Sequence, residues 1–120
     1  MAITKEDLAQ FYGTEHYYRF SPMYHNMYLT DGTKFLAEEA GAYWLMDMIA
    51  SYLPRIKQHG FGSVKLVVKD GVGTFTIDDG NGNVFAKQKI DYTDFPFDEF
   101  SMFVAEGMED TWVIMLTSEY

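Results

Sequence analysis

The sequence contains no cysteine, only three prolines and no long uninterrupted hydrophobic run. Without cysteine the chain can form neither a disulfide nor a thiolate metal site, so nothing in it requires an oxidising compartment. The most apolar stretch, GAYWLMDMIA, is interrupted by Asp47 and is far shorter than the ~20 residues of a membrane-spanning helix. The opening MAITKEDLAQ lacks the apolar core of a secretory signal. We therefore expect a soluble, cytoplasmic protein that has no membrane partner.

The familiar patterns of enzymes and metal sites are also missing. There is no P-loop, no GxGxxG after a strand, no GxSxG elbow and no HExxH. The run DDGNGN resembles the start of a calcium loop, but an EF-hand beginning at Asp79 would need glycine and glutamate where this chain has Val84 and Ile90. We predict a hairpin turn there. We expect no cofactor, no metal site and no catalytic residue of a known type.

The composition is that of a folded domain. The chain has 120 residues, 48% of them hydrophobic and 18% aromatic, which is ample material for one core at the commonest domain size. No internal repeat or low-complexity linker divides it. We therefore predict a single domain over residues 1–120.

The charge is unevenly distributed. The net charge is −9, and residues 1–69 hold seven acids and seven bases. Residues 70–120 hold eleven acids against Lys87 and Lys89, so the whole excess lies in the last 51 residues. Negative charge repels phosphate backbones and attracts cationic surfaces. We expect a basic protein surface as partner, and no direct nucleic-acid binding.

The periodicities predict an α+β fold. A short helix is expected at about 5–11, followed by extended segments in EHYYRF and MYHNMYLT. TKFLAEEAGAYWLMDMIASYL reads as one long, mostly buried central helix, in which Gly41 can mark a break and Pro54 should end the helix near Leu53. From Ser63 onward the period is two. We predict N-terminal helices packed on an antiparallel sheet of about five strands.

The stretch GTEHYYRF, residues 13–20, gathers the side chains that could support chemistry. His16 could act as an acid or a base, and Arg19 could hold an anion. In an extended strand, however, Glu15 and Arg19 share one face, where they could form an ion pair, while His16 and Tyr18 share the other. We predict an aromatic strand, with a recognition edge or a reaction centre as alternatives; the residues of that edge are Glu15, His16, Tyr18 and Arg19.

The segment DYTDFPFDEF alternates acids with aromatic residues, as interface loops often do, because rings supply contact area while charges steer a partner. The alternative is a solvated acidic surface above core aromatics. Together with acids that follow in the sequence, the segment gives the predicted partner-binding set: Asp91, Asp94, Phe95, Asp98, Glu99, Glu106, Glu109 and Asp110.

The chain resembles a family of small proteins of unknown function from bacteria, phages and plasmids. The resemblance rests on GTEHYYRF, YLTDGTKFLAEEAGAYWLMDMIAS and TDFP, which are similar to the family's GTEHWYRH, YTDGVxYLAEEAGAYWLLD and TDFP. It implies a mobile-element context and no particular activity. Tyr17 and Phe20 depart from the family pattern. The positions that match it are Gly13, His16, Arg19, Asp31, Gly32, Gly41 and Trp44.

Two functions from different classes follow. The first is a non-enzymatic interaction protein of a phage or mobile element, an acidic mimic of nucleic acid that inhibits a host defence protein in the manner of an anti-CRISPR. The second is a small enzyme or ligand-binding domain that uses His16 and Arg19, joined in space by Asp31 or Glu39. An oligomerisation module, for example a homodimer, is a third.

Overall fold

The computed structural model describes residues 3–21, 24–108 and 110–120, without the side chains at positions 21, 24 and 25. The described residues form four α-helices, seven β-strands and a final 3₁₀ turn at Thr117–Glu119. In chain order the elements are α1 (Lys5–Ala9), β1 (Tyr18–Ser21), β2 (Tyr24–Leu29), α2 (Asp31–Glu39), α3 (Tyr43–Ser51), α4 (Leu53–His59), β3 (Phe61–Lys69), β4 (Val72–Asp78), β5 (Val84–Ile90), β6 (Glu99–Glu106) and β7 (Trp112–Leu116). The predicted α+β class is confirmed.

The central helical region is three helices, so the prediction of one long helix was wrong. α2 ends because Gly41 adopts a φ of +61°, and the Ala42 N–H then donates to the Ala37 carbonyl at 2.9 Å. This bond pattern is the Schellman end of a helix, which favours glycine. Pro54 does not end a helix as predicted but lies in the first turn of α4, where its missing N–H costs nothing.

The sheet has seven strands in the order β1-β2-β7-β6-β3-β4-β5, so the prediction of five antiparallel strands was also wrong. The five strands predicted after Ser63 are present, and the two N-terminal extended segments join the same sheet. β2 pairs with β7 in parallel, with Met27 opposite Trp112. A parallel pair needs a long crossover connection, and here that connection is most of the chain.

The helices cover one face of the sheet. Burial alternates along β3 and β4, and α2 and α4 contact the sheet at β2, β7 and β3. The core between the two layers is apolar, and its largest fully buried side chains include Phe75, Met27, Leu36 and Ile49. We call the other side of the sheet the open face.

Candidate functional site

The N-terminus of α2 brings together three segments that lie far apart in the sequence. Thr30 caps the helix: the Thr33 N–H donates to its hydroxyl at 3.2 Å, and its own N–H donates to the Thr33 hydroxyl at 2.9 Å. Both threonines are buried. The local sequence therefore starts the helix by a reciprocal cap, as Thr or Ser at the first position often does.

The last turn of the described chain adds a carboxylate to this helix end. Glu119 accepts hydrogen bonds from the Thr30 hydroxyl at 2.6 Å, the Gly32 N–H at 3.0 Å and the Leu116 N–H at 2.9 Å. A Cβ at position 32 would lie 2.6 Å from the Glu119 Oε1 atom, so only glycine allows this approach. The carboxylate also faces the positive end of the helix dipole. Glu119 thus ties the end of β7 to the start of α2.

The segment GTEH closes over the same helix end from the other side. The Asp31 N–H donates to the Thr14 hydroxyl at 3.0 Å, and the Asp31 carboxylate accepts from the Glu15 N–H at 2.9 Å and from the Tyr18 hydroxyl at 3.0 Å. The Glu15 N–H, and then the Tyr18 hydroxyl, hold the pKa of Asp31 below its ordinary value, although partial burial opposes the shift. The same carboxylate raises the pKa of Tyr18.

We call this arrangement, in which Glu119 and residues 13–16 hold the start of α2, the clasp; it is not an anion site. The N–H groups of Asp31, Gly32 and Thr33, which could otherwise bind a phosphate, all donate to oxygen atoms of the chain itself. The His16 Nδ1 atom lies 3.7 Å from the Asp31 carboxylate, too far for a hydrogen bond, and the imidazole is largely exposed. Motif residues from both ends of the sequence are therefore used to hold the fold.

The predicted strand over GTEHYYRF is present only from Tyr18 onward. Glu15 lies in the loop that precedes β1, and among the described ion pairs none joins it to Arg19, so the predicted same-face pair was wrong. Tyr18 pairs with Leu29 on the helix side of the sheet, whereas Arg19 pairs with Tyr28 on the open face.

His16 and Arg19 are consequently not brought together. His16 lies near Asp31 on the helix side, and the cavity of about 370 Å³ beside the GTEH loop is lined by residues that include neither of them. Glu39, the other proposed partner, lies at the far end of α2 from Asp31. The described residues contain no group of three or more His, Asp or Glu side chains placed to hold a metal ion.

The second predicted site, the loop of residues 91–98 between β5 and β6, is held by its aromatic side chains. We call this segment the acidic loop. Phe95 and Phe97 are buried, with their ring centroids 5.8 Å apart, and both lie against Phe100 at 5.7 and 5.4 Å. Trp44 contacts Phe95 edge to face. Phe95 was predicted as a partner contact, and the structure places it in the core instead.

Backbone hydrogen bonds fix the acidic loop to the neighbouring hairpin. The Thr93 N–H donates to the Gly71 carbonyl at 2.7 Å, and the Val68 N–H donates to the Asp98 carbonyl at 2.7 Å. The Phe95 N–H donates to the Thr93 hydroxyl at 3.1 Å. Tyr92, 78% exposed, stands beside Gly71. Backbone bonds therefore attach the loop near both of its ends to β3 and the β3–β4 turn, and the buried rings hold its middle against Phe100.

The carboxylates of the acidic loop face the solvent. Asp91, Asp94 and Asp98 are exposed. Asp91 lies 3.9 Å from the Lys89 amine, whereas the structure records no ion pair for Asp94 or Asp98 among the described residues. Glu99, at the start of β6, pairs with Lys65 at 2.9 Å, and that amine holds the pKa of Glu99 below its ordinary value.

Asp70 is an acid that sequence reasoning missed. It lies in the β3–β4 turn with a φ of +52°, directly before the Gly71 carbonyl that holds the acidic loop. The dipeptide Asp-Gly signalled the turn, but the pairing of that turn with a loop twenty residues later is visible only in three dimensions.

The rest of the predicted partner-binding set lies elsewhere. Glu99 and Glu106 are the two ends of β6, about 23 Å apart at the usual rise of a strand. Glu106 and Asp110 are exposed at the β6–β7 hairpin, at the end of the sheet opposite the acidic loop, and Glu109 lies outside the described residues. The set is therefore two separate acidic groups, not one surface.

The comparisons give a family and no activity. Within the described residues, no helix combines the length and the hydrophobicity needed to cross a membrane. Neither a curated protein nor a solved structure matches the chain. A family model does match, over residues 2–120, and the chain therefore belongs to the family of unknown function DUF6876.

Proposed function

We propose that this protein is a non-enzymatic interaction module that binds a basic surface of a partner protein through its acidic loop. One observation carries the proposal: the aromatic side chains of the loop are buried in the core while its aspartates are exposed. Phe95 is 6% and Phe97 is 7% exposed, whereas Asp94 and Asp98 on either side of them face the solvent.

This alternation makes the loop a preordered contact. Ordering a flexible loop on binding costs about 0.5–1.5 kcal/mol for each immobilised side chain, and buried rings together with backbone bonds remove much of that cost in advance. Carboxylates without an intramolecular partner remain available to cations of another molecule, and they accelerate encounter by long-range attraction. Tyr92 supplies an exposed aromatic ring beside them, a residue type enriched in the energetically dominant part of interfaces.

The partner that fits this charge best is a nucleic-acid-binding protein. Its groove presents lysine and arginine side chains spaced for phosphates, and fixed carboxylates can occupy such positions. The similarity of the sequence motifs to phage and plasmid proteins supports an inhibitor of a host defence protein as the biological setting. In this proposal the module competes with DNA or RNA and does not bind either directly.

Charge reversal in the acidic loop tests the proposal. We would compare the wild type with the triple variant Asp91→Lys, Asp94→Lys and Asp98→Lys as baits in nuclease-treated bacterial lysate. Glu99 is left unchanged because its carboxylate lies 2.9 Å from the Lys65 amine, whereas the pair of Asp91 with Lys89 is a loose one at 3.9 Å. The wild type should retain a partner that added duplex nucleic acid releases, and the variant should lose that partner while remaining folded by circular dichroism.

A second triple variant separates the loop from net charge. Glu6→Lys, Glu38→Lys and Asp47→Lys change the total charge equally at exposed helical positions. This control should bind the partner nearly as well as the wild type. Equal retention of the partner by the folded loop variant, or equal loss by both variants, would show that the acidic loop is not the contact.

A further inference from the structure

The connection between β4 and β5, residues 79–83, contains an asparagine followed directly by a glycine. Asn81 and Gly82 are both exposed. Gly82 adopts a φ of +90°, and apart from its chain neighbours no atom lies within 4 Å of the place that a Cβ would take. Among the described residues, neither the Asn81 side-chain amide nor the Gly82 N–H makes a hydrogen bond. Two reactive groups therefore lie side by side, and no contact restrains either of them.

The other amides of this connection are held by carboxylates. Asp79 accepts hydrogen bonds from the Asn81 N–H at 2.9 Å, from the Asn83 N–H at 3.3 Å and from the Asn83 side-chain amide at 2.9 Å. The Gly80 N–H donates to the Asp78 carboxylate at 2.7 Å. The fold thus restrains the second asparagine of the connection and leaves the side chain of the first one free.

We infer that Asn81 and Gly82 form a self-modification site, at which water converts the Asn81 side chain to an acid. The Gly82 nitrogen attacks the Asn81 Cγ atom, and a C–N bond forms as the Gly82 proton passes to a base in the solvent. The side-chain nitrogen takes a proton from water and leaves as ammonia, which gives a cyclic imide. Water then adds to either imide carbonyl and breaks its bond to nitrogen, so the product is aspartate or isoaspartate.

This chemistry is selective for one position in the chain. Glycine favours the attack because it has no Cβ to obstruct the approach of its nitrogen. Asp31, Asp70 and Asp79 also precede a glycine, but a carboxylate resists a nitrogen nucleophile because it already carries negative charge. At Asp31 the following N–H, that of Gly32, also donates to Glu119. Asn81 combines the reactive amide with an unrestrained neighbour.

The products change the connection in two ways. Either product adds a carboxylate beside Asp78 and Asp79, in a chain whose net charge is already −9. Isoaspartate also directs the backbone through the former side chain, which lengthens the connection between β4 and β5 by one carbon atom. The site does not depend on the proposed function, because the acidic loop follows the other end of β5.

Peptide mapping of protein aged in mildly alkaline buffer tests the site. Trypsin cuts after Lys69 and Lys87, so Asn81 and Asn83 fall in the same peptide and their conversions are compared directly by mass spectrometric sequencing. Asn81 should convert at least about tenfold faster than Asn83, because the Asn83 amide must first break its hydrogen bond with a carboxylate. The product should contain isoaspartate as well as aspartate, since both arise from the cyclic imide.

Two comparisons make the result specific to this site. The variant Asn81→Gln, whose longer side chain forms an imide far more slowly, should accumulate no acid at position 81. A sample of the wild type unfolded in urea should convert Asn81 at nearly the same rate as the folded protein, because no bond of the fold has to open first. A folded protein that keeps Asn81 intact while the unfolded chain reacts would overturn the proposal. So would equal rates at Asn81 and Asn83, or a product without isoaspartate.

Discussion

The hydrogen bonds that Glu119 accepts in the clasp give a specific prediction for the free energy of unfolding. In Glu119→Ala, the Gly32 and Leu116 N–H groups lose a charged acceptor, and the Thr30 hydroxyl loses one of its partners. Gly32 and Thr30 are buried, and a buried donor left unpaired costs about 1–3 kcal/mol. Thr30 keeps its bonds with Thr33, so the unpaired N–H groups of Gly32 and Leu116 account for most of the lost stability. We expect about 2–4 kcal/mol of destabilisation.

Urea unfolding followed by circular dichroism measures this loss directly, and a melting temperature lower by about 8–15 °C should accompany it. Glu119→Gln keeps the shape but offers its amide nitrogen to a donor, so it should lose about half as much. Asp47→Ala, an exposed acid in α3, is the matched control and should change stability by less than about 0.5 kcal/mol. A Glu119→Ala protein as stable as the control would refute the clasp.

Two further predictions concern the buried ring of Phe95 in the acidic loop and the carboxylate of Asp31. Phe95→Ala should lower the free energy of unfolding by about 3–5 kcal/mol, because a buried ring in contact with Trp44, Phe97 and Phe100 is lost. Hydrogen exchange of the Thr93 amide should accelerate while the rest of the sheet stays protected. Unchanged exchange at Thr93 would show that Phe95 does not anchor the acidic loop. Asp31→Asn should flatten the acid limb of a stability–pH curve. Because the pKa of Asp31 is lowered in the folded protein, its carboxylate stabilises the fold at pH values above the ordinary pKa of 3.8. The wild type loses this stability as the pH falls through the folded pKa. Identical acid limbs would exclude that linkage.

Local patterns in the sequence indicated the five strand segments after Ser63 but not the number or arrangement of strands in the sheet. Alternation and glycine turns predicted β3 and β4, because period-two burial and turn residues act over short distances. Alternation in β5 is imperfect, as the sequence already indicated. The break at Gly41 was also visible as a glycine within the helical pattern. The new helix that begins at Leu53 was missed, because Pro54 was interpreted as a stop and not as a first-turn residue.

Contacts between distant segments were beyond sequence reasoning. Nothing in the local pattern pairs Met27 with Trp112 in parallel, or brings Glu119 to Gly32. The same limit applied to the acidic residues: their count was correct, but only the strand order shows that Asp98 and Asp110 lie at opposite ends of the sheet. The burial of Phe95 agrees with the alternative of core aromatics beneath an acidic surface. The sequence alone did not decide between that alternative and a partner contact, since aromatic residues suit both a core and an interface.

The family motifs are explained in part by the clasp. Asp31 and Gly32 hold the start of α2, Gly41 ends that helix, and Trp44 packs on the acidic loop. These residues preserve the fold, which directs the search for binding residues to the exposed positions between them.

The central claim is that the acidic loop is one coherent, preordered cation-binding surface. An NMR titration of ¹⁵N-labelled protein with a short poly-arginine peptide tests it most directly. We predict that the backbone signals of residues 91–99, with those of Asp70 and Gly71, shift first and furthest, and that added salt reverses the shifts. Shifts spread evenly over the molecule, or concentrated at Glu106 and Asp110 instead, would contradict the account.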